Sequence, residues 1–367
     1  MLARLCAAIW IGALSLVARD QLTVPRLEVV AAAARERLPS VTAIVPARDE
    51  QRDVGRTLAL LTAQDHPQLQ VVAVDDCSGD GTLDAMRAVA GVEVVEGIAP
   101  PAGWLGKPWA CAQGVERARG DWLLFLDADM VLAPQALSAA LAFAIARGGG
   151  GATVFPRLET GGAAERIVMP AAGVLMQTAV IPSWAARWRR LDVAIGVGGF
   201  LLLERAVYER IGGHAAVRGE IVEDLALARL VKRGGGLVEW ASGGGLVSLR
   251  MYHGVGELWQ GWRKNAAHAW PLPASASAAA AVTLALVAFG PWTMAARGRP
   301  AGLVAVLAQV LAVALSRRGS DIPAAYAATA PAGVAFLLAV GGAALWDRAA
   351  RRPATWRGRR IGATPER

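Results

Sequence analysis

Apolar and polar positions change their period along the chain, and the changes mark out its elements. Short apolar runs at residues 41–46, 69–74, 92–95 and 122–129 alternate with segments of helical period at 54–63, 82–90 and about 108–118. The runs at 41–46 and 122–129 read as buried strands and the other two as strands, and their alternation with helices predicts a mostly parallel α/β sheet covered on both sides. The fourth run ends in two carboxylates one residue apart, Asp127 and Asp129, and the first two end in Asp49-Glu50 and Asp75-Asp76. Acid groups therefore collect at the carboxyl ends of the strands, where open α/β sheets bind ligands.

The pattern outside this region is of another kind. Residues 5–17 are apolar between Arg4 and Arg19-Asp20, short against the ~20 residues of a full span and without a small-residue cleavage signal. We read residues 1–20 as an N-terminal membrane anchor rather than a signal peptide, and the Ala-rich residues 21–40 as a helical linker. Residues 163–188 are apolar but broken by Pro170 and Pro182 and closed by Trp184, Trp188, Arg189 and Arg190, which fits an element lying in the membrane interface. An ordinary pair of core helices is the plainer alternative. After Trp270 come apolar stretches at 274–296, 301–315 and about 323–346, giving two or three membrane helices within 271–347, then a basic tail at 348–367. The middle stretch is short enough to be re-entrant, and because every loop carries arginine the charge rule does not orient the spans.

Composition narrows the class. The chain has 367 residues, is 54% hydrophobic and carries a formal charge of +8. Its arginines cluster beside apolar segments, as at Arg187, Arg189 and Arg190 or Arg348, Arg351 and Arg352, with no base-stacking motif. That suits a cytoplasmic membrane face and argues against nucleic acid. Cys6, Cys77 and Cys111 are too scattered for a disulfide framework or a zinc site, which fits a reducing compartment.

Two carboxylates on the same side of a strand are hard to keep ionised without a cation, and an oxygen-only donor set favours Mg²⁺ or Mn²⁺. Asp-x-Asp alone equally begins a turn and caps a helix near Pro134. Gly79 and Gly81 allow a tight loop after the second strand, where Asp80 caps the helix beginning near Thr82. Lys107, in a Gly-Lys turn near a helix start, is a flexible cation suited to a diphosphate or a sugar. Glu223 and Asp224 precede a helical run at 226–232 and complement its N-terminus.

Ile44-Val-Pro-Ala-Arg-Asp-Glu50, Val74-Asp-Asp-Cys-Ser-Gly-Asp-Gly-Thr82, Gly106-Lys-Pro-Trp-Ala-Cys-Ala-Gln-Gly114, Phe125-Leu-Asp-Ala-Asp129, Glu223-Asp-Leu225 and Gln260-Gly-Trp-Arg263 occur in that order. Together they resemble the family 2 glycosyltransferases of the GT-A fold, over residues 41–270. The resemblance implies that Glu50 and Asp76 contact uracil or another base, and that Pro46, Ala47 and Lys107 belong to the donor site. It places Asp127 near the ribose and the metal, Asp129 on a cation bridging the phosphates, and Asp224 as the base of an inverting transfer. Gln260 and Arg263 are similar to a Gln-x-x-Arg-Trp motif of membrane-bound synthases, where they border the diphosphate. Lys264 stands in place of that tryptophan, which favours single transfer over processive synthesis.

The Gly-Lys-Pro-Trp-Ala turn and Gly212-Gly-His-Ala-Ala-Val-Arg218 look most like a membrane subgroup that includes hopanoid-associated and carotenoid-type glycosyltransferases. That likeness implies a nucleotide-sugar donor, most readily a UDP-sugar, and a lipid acceptor. It also implies a multi-pass inner-membrane protein with a cytoplasmic catalytic domain. Arg250 and His253 are supporting candidates, and neither His214 nor His253 is given a catalytic part. A processive polysaccharide synthase and a non-catalytic nucleotide-binding membrane scaffold are the competing readings.

Overall fold

A computed structural model describes residues 2–180, 186, 188, 192–269, 273–350, 352, 354–356 and 359–361. The chain divides into two units: an α/β unit of Val24–Leu158 and Ser183–Arg250, and a helical unit of Met1–Thr23, Glu159–Pro182 and Met251–Ala363.

The α/β unit contains β1 (Val41–Ala47), β2 (Leu69–Asp75), β3 (Val92–Glu96), β4 (Trp122–Leu126), β5 (Met130–Leu132), β6 (Gly150–Phe155), β7 (Arg157–Leu158), β8 (Phe200–Glu204), β9 (Leu237–Ser242) and β10 (Val247–Leu249). Seven of them form one sheet in the order β3-β2-β1-β4-β8-β6-β9, and β5-β10-β7 form a small second sheet. Four of the six neighbouring pairs in the large sheet are parallel, and β8 is antiparallel to both β4 and β6. This is the mostly parallel α/β sheet that the apolar pattern predicts.

Side chains of β4 alternate between two cores: Leu124 and Leu126 pack with Leu58, Leu61 and Leu137, while Leu123 and Phe125 pack with Tyr208, Leu227 and Val231. The period of two explains why the run is apolar throughout. β1 pairs with β2 as far as Ala47↔Asp75, but its ladder with β4 ends at Ile44↔Phe125. Pro46, which has no N–H to give, lies beyond that last rung. The two strands therefore part at their carboxyl ends, and the order of the sheet changes direction at the same place. A crevice at such a switch point is where open α/β sheets take their ligands.

Three local expectations are corrected. Asp127 and Asp129 are not the end of a strand: β4 stops at Leu126, and both acids lie in the turn that leads to β5. There the Met130 N–H donates to the Asp127 carbonyl at 3.4 Å and the Asp127 N–H to the Gly199 carbonyl at 3.2 Å. Residues 24–40 are not a continuous helix, since only Ala32–Arg35 is helical. Pro25 and Arg26 instead run beside β9, with the Ser242 N–H donating to the Pro25 carbonyl at 2.8 Å and Leu27 N–H to the Ser242 carbonyl at 3.0 Å. A proline lacks the donor that a helix interior needs. Glu223 and Asp224 do not precede their helix; they form its first turn, Glu223–Arg233.

Among the described residues of the helical unit, three helices are long and apolar enough to cross a membrane: Ala3–Thr23, Ser275–Ala296 and Ala324–Ala349. Pro300–Ser316 is shorter, and its small residues Ala305, Ala308 and Ala312 pack with Ala3, Cys6 and Ala7 of the first helix. Small side chains of this kind let helix backbones approach closely. Fully buried Gln309 accepts the Trp292 indole N–H at 2.7 Å and donates to the Ala288 carbonyl at 3.3 Å. Within the expected interfacial element, a helix at Ala163–Leu175 carries Pro170 and continues as a π-helical turn, Met176–Val180. Pro182, Trp184, Arg187, Arg189, Arg190, Trp270 and Arg351, on which part of the interfacial and charge-cluster expectations rest, lie outside the described residues.

Candidate active site

The loops after β1 and β2 are laced together. Asp49 Oδ1 accepts the Gly79 N–H at 2.8 Å, and the Asp49 and Glu50 N–H groups donate to Ser78 Oγ at 3.1 Å and Thr82 Oγ1 at 2.8 Å. Asp80 accepts the Thr82 N–H at 3.0 Å just before the next helix, whose N-cap is Gly81 and not Asp80. Asp49 and Cys77 adopt positive φ angles of 52° and 54°, strained for residues with a side chain. Pro46 and Ala47 end β1, with the Ala47 carbonyl accepting the Asp76 N–H at 2.8 Å. Asp75 and Asp76 are both buried. Asp75 Oδ2 accepts the Ser78 N–H at 3.2 Å, whereas its Oδ1 is buried without a hydrogen-bond partner.

Lys107 stands in the first turn of the Gly106–Arg117 helix, and its Nζ lies 2.7 Å from Asp127 Oδ1 and 2.8 Å from Glu223 Oε1. Burial works against the ammonium, but Asp127, Glu223 and Asp224 outweigh it and hold the Lys107 pKa well above its ordinary value. One cation thus joins the turn after β4 to the Glu223–Arg233 helix. Asp224 is pushed up to about 7, first by burial and then by Glu223. Asp129 is likewise pushed up to about 7, by burial and by the charges of Asp127 and Glu50. Carboxylates poised near neutrality in a crevice are the usual mark of a functional site.

A glycine-rich loop closes over this cluster. A Cβ on Gly196 would fall 2.4 Å from the Asp224 carbonyl oxygen, backbone that cannot yield. A Cβ on Gly198 would stand 3.1 Å from Asp224 Oδ2 and 3.2 Å from Lys107 Nζ. Pro46, Lys107, Phe125, Gly198, His214 and Asp224 all line one cavity. His214 belongs to its wall: the Tyr208 hydroxyl is 2.9 Å from Nδ1 and accepts the His214 N–H at 3.0 Å, and the ring meets Phe125 edge-on at 4.6 Å. Burial, with the Lys107 charge, lowers its pKa to about 3, so it stays neutral.

Asp127 and Asp129 offer only oxygen donors, and the crowding by Asp127 and Glu50 that raises Asp129 is what a divalent cation relieves. Among the described residues no three His, Cys, Asp or Glu side chains form a ready-made cage. Mg²⁺-type sites are commonly completed by substrate phosphates.

Of the residues named from sequence, Pro46, Glu50, Lys107, Asp127, Asp129 and Asp224 are tied together by these contacts and charges. Asp76 joins them through its charge on Cys111, which also lines the cavity. Gln260 and Arg263 belong to the helical unit, on the helix Val255–Ala269. Gln260 is exposed there, and Arg263 is paired with Asp347. Sequence reasoning missed Glu223 as a partner of Lys107 and Gly198 as the residue between Lys107 and Asp224. Only the adjacency of Glu223 to Asp224 could have pointed to the first, and nothing local to the second.

The mostly parallel central sheet is that of the GT-A fold. The chain superposes with TM-score 0.55 on the solved mannosyltransferase PcManGT of Pyrobaculum calidifontis, in complex with GDP-Man and Mn²⁺, at 21% identity over 95% of this chain and 99% of that one. Residues 42–212 match the model of glycosyl transferase family 2, and the chain carries a domain of that family. The 4,4'-diaponeurosporenoate glycosyltransferase of Staphylococcus haemolyticus is 27% identical over 63% of this chain, and that of Staphylococcus aureus 27% over 62%. The matches span 62% and 60% of the length of those two relatives.

Proposed function

We propose that this protein is a membrane-bound, metal-dependent, inverting glycosyltransferase that moves one sugar from a nucleotide-sugar donor, a UDP-sugar first of all, to a hydroxyl or carboxyl of an isoprenoid or glycerolipid-type acceptor. The observation that carries the reading is Lys107, held between Asp127 on the donor side and the helix that presents Asp224. Glu50 and Asp76 take the base, Pro46 and Ala47 line its slot, and Lys107 with Asp127 holds the diphosphate and ribose. Asp129 would hold Mg²⁺ or Mn²⁺, which would supply charge withdrawal from the leaving diphosphate. Asp224, poised near neutrality, takes the proton from the attacking acceptor group.

The staphylococcal relatives act by name on a diaponeurosporenoate, which supports an apolar lipid acceptor, and the mannosyltransferase holds GDP-Man and Mn²⁺, which supports a nucleotide sugar and a metal. The three candidate spans support a multi-pass inner-membrane location, with the α/β unit on the cytoplasmic side where nucleotide sugars are made. Membranes containing the protein, incubated with radiolabelled UDP- and GDP-sugars with and without Mn²⁺, test the reading. It expects label in the lipid extract that depends on the metal and disappears in Asp129→Ala. Label that stays in the aqueous phase, or metal-independent transfer, would contradict it.

A further inference from the structure

Among the groups around Lys107, Glu223 has no part in the transfer outlined above, yet its side chain is 7% exposed and its Oε1 lies 2.8 Å from Nζ. An ammonium has three N–H donors and no acceptor. Asp127 at 2.7 Å and Glu223 take two of them. The space a Cβ on Gly198 would fill, 3.2 Å from Nζ and 3.1 Å from Asp224 Oδ2, lies against the same ammonium. Asp224 is the immediate chain neighbour of Glu223, so an ammonium released by one is within reach of the other.

We propose that Glu223 is a positioning residue for the transfer, a role that rests on the function proposed above. By fixing the second N–H of Lys107, it leaves the third directed into the gap beneath Gly198, where it meets an oxygen of the sugar or of its phosphate. It also keeps the ammonium off Asp224. A direct Lys107–Asp224 pair would favour the carboxylate and weaken it as a proton acceptor. Glu223 therefore acts through Lys107, and its effect vanishes where Lys107 is absent.

The test uses purified full-length protein in detergent, with the nucleotide sugar the wild type turns over and the lipid it labels. Glu223→Ala is expected to lose about 100-fold in kcat, the scale of a misplaced reacting group, with the donor KM within about threefold and an unchanged melting temperature. Glu223→Gln, which keeps an acceptor oxygen for the ammonium, is expected to stay within about tenfold of wild type. The double variant Glu223→Ala/Lys107→Ala should be no slower than Lys107→Ala alone, a non-additivity that a merely structural role does not produce. Wild-type kcat in Glu223→Ala, or losses that multiply in the double variant, overturns the proposal. If Glu223→Ala is fully active while Asp224→Asn is dead, only the role of Glu223 falls. If the wild type turns over no nucleotide sugar, the transfer itself falls and this role with it.

Discussion

The guanidinium of Arg263 forks onto the carboxylate of Asp347, Nε to Oδ2 and Nη2 to Oδ1, each at 2.6 Å. The fork joins the Val255–Ala269 helix to the end of the Ala330–Ala349 helix. Planar two-point pairing of this kind is specific to arginine. The Arg263 side chain is 40% exposed, so solvent screens part of its worth. Arg263→Ala and Asp347→Asn should each cost about 1 kcal/mol, and the double variant little more than the worse single one, as read by thermal unfolding in detergent. A raised donor KM in Arg263→Ala that Asp347→Asn does not share would add the diphosphate role that the sequence motif implies for Arg263. Equal KM values in both variants would confine it to the clamp.

Gly198 separates the cation from the proposed base. Adding a methyl group there places it 3.1 Å from Asp224 Oδ2 and 3.2 Å from Lys107 Nζ, contacts that side-chain ends can relieve by small shifts. Gly198→Ala should therefore fold with a melting temperature close to wild type and lose about tenfold or more in kcat, because both groups leave their working positions. Wild-type turnover in that variant would show that the gap between Lys107 and Asp224 is not used.

The raised pKa of Asp224 gives a signed dependence on pH. Its folded value of about 7 lies above the ordinary 3.8, so the folded protein holds this proton more tightly than the unfolded chain does. Stability contributed by the group is lost as pH rises from about 4 to about 7. Asp224→Asn removes that loss: it should match wild type near pH 4 and melt higher than wild type at pH 8. Transfer by the wild type should rise with pH through about 7 as the base becomes free to accept a proton. His214, lowered to about 3, contributes with the opposite sign, but it is common to both proteins and drops out of the comparison.

Strand runs were legible because they are buried on both faces and so almost wholly apolar, as β4 shows throughout and β1 shows but for Thr42. The acids at their ends were legible for the same reason, as abrupt breaks in an apolar pattern. The antiparallel placement of β8 between β4 and β6 was not, because strand order is set by contacts between residues far apart in the chain. Asp127 and Asp129 read as a strand end because sequence shows where apolar character stops and not where the ladder does. The Pro25–Leu27 segment looked helical from its Ala-rich surroundings, yet its partner is Ser242, more than two hundred residues away. Arg263 looked like a free cation until the fold supplied Asp347. Glu223 and Gly198 matter only through Lys107, so neither carries a local signal.

One measurement addresses the convergence of these acids most directly: glycosyl transfer to extracted lipid by Asp224→Asn, set beside binding of the nucleoside diphosphate and Mn²⁺ to the same preparation by calorimetry. The account predicts that transfer falls by at least about 10³-fold, of the order general-base removal costs, while the diphosphate and metal bind as they do to wild type. Transfer at the wild-type rate, or loss of diphosphate binding together with transfer, would contradict it.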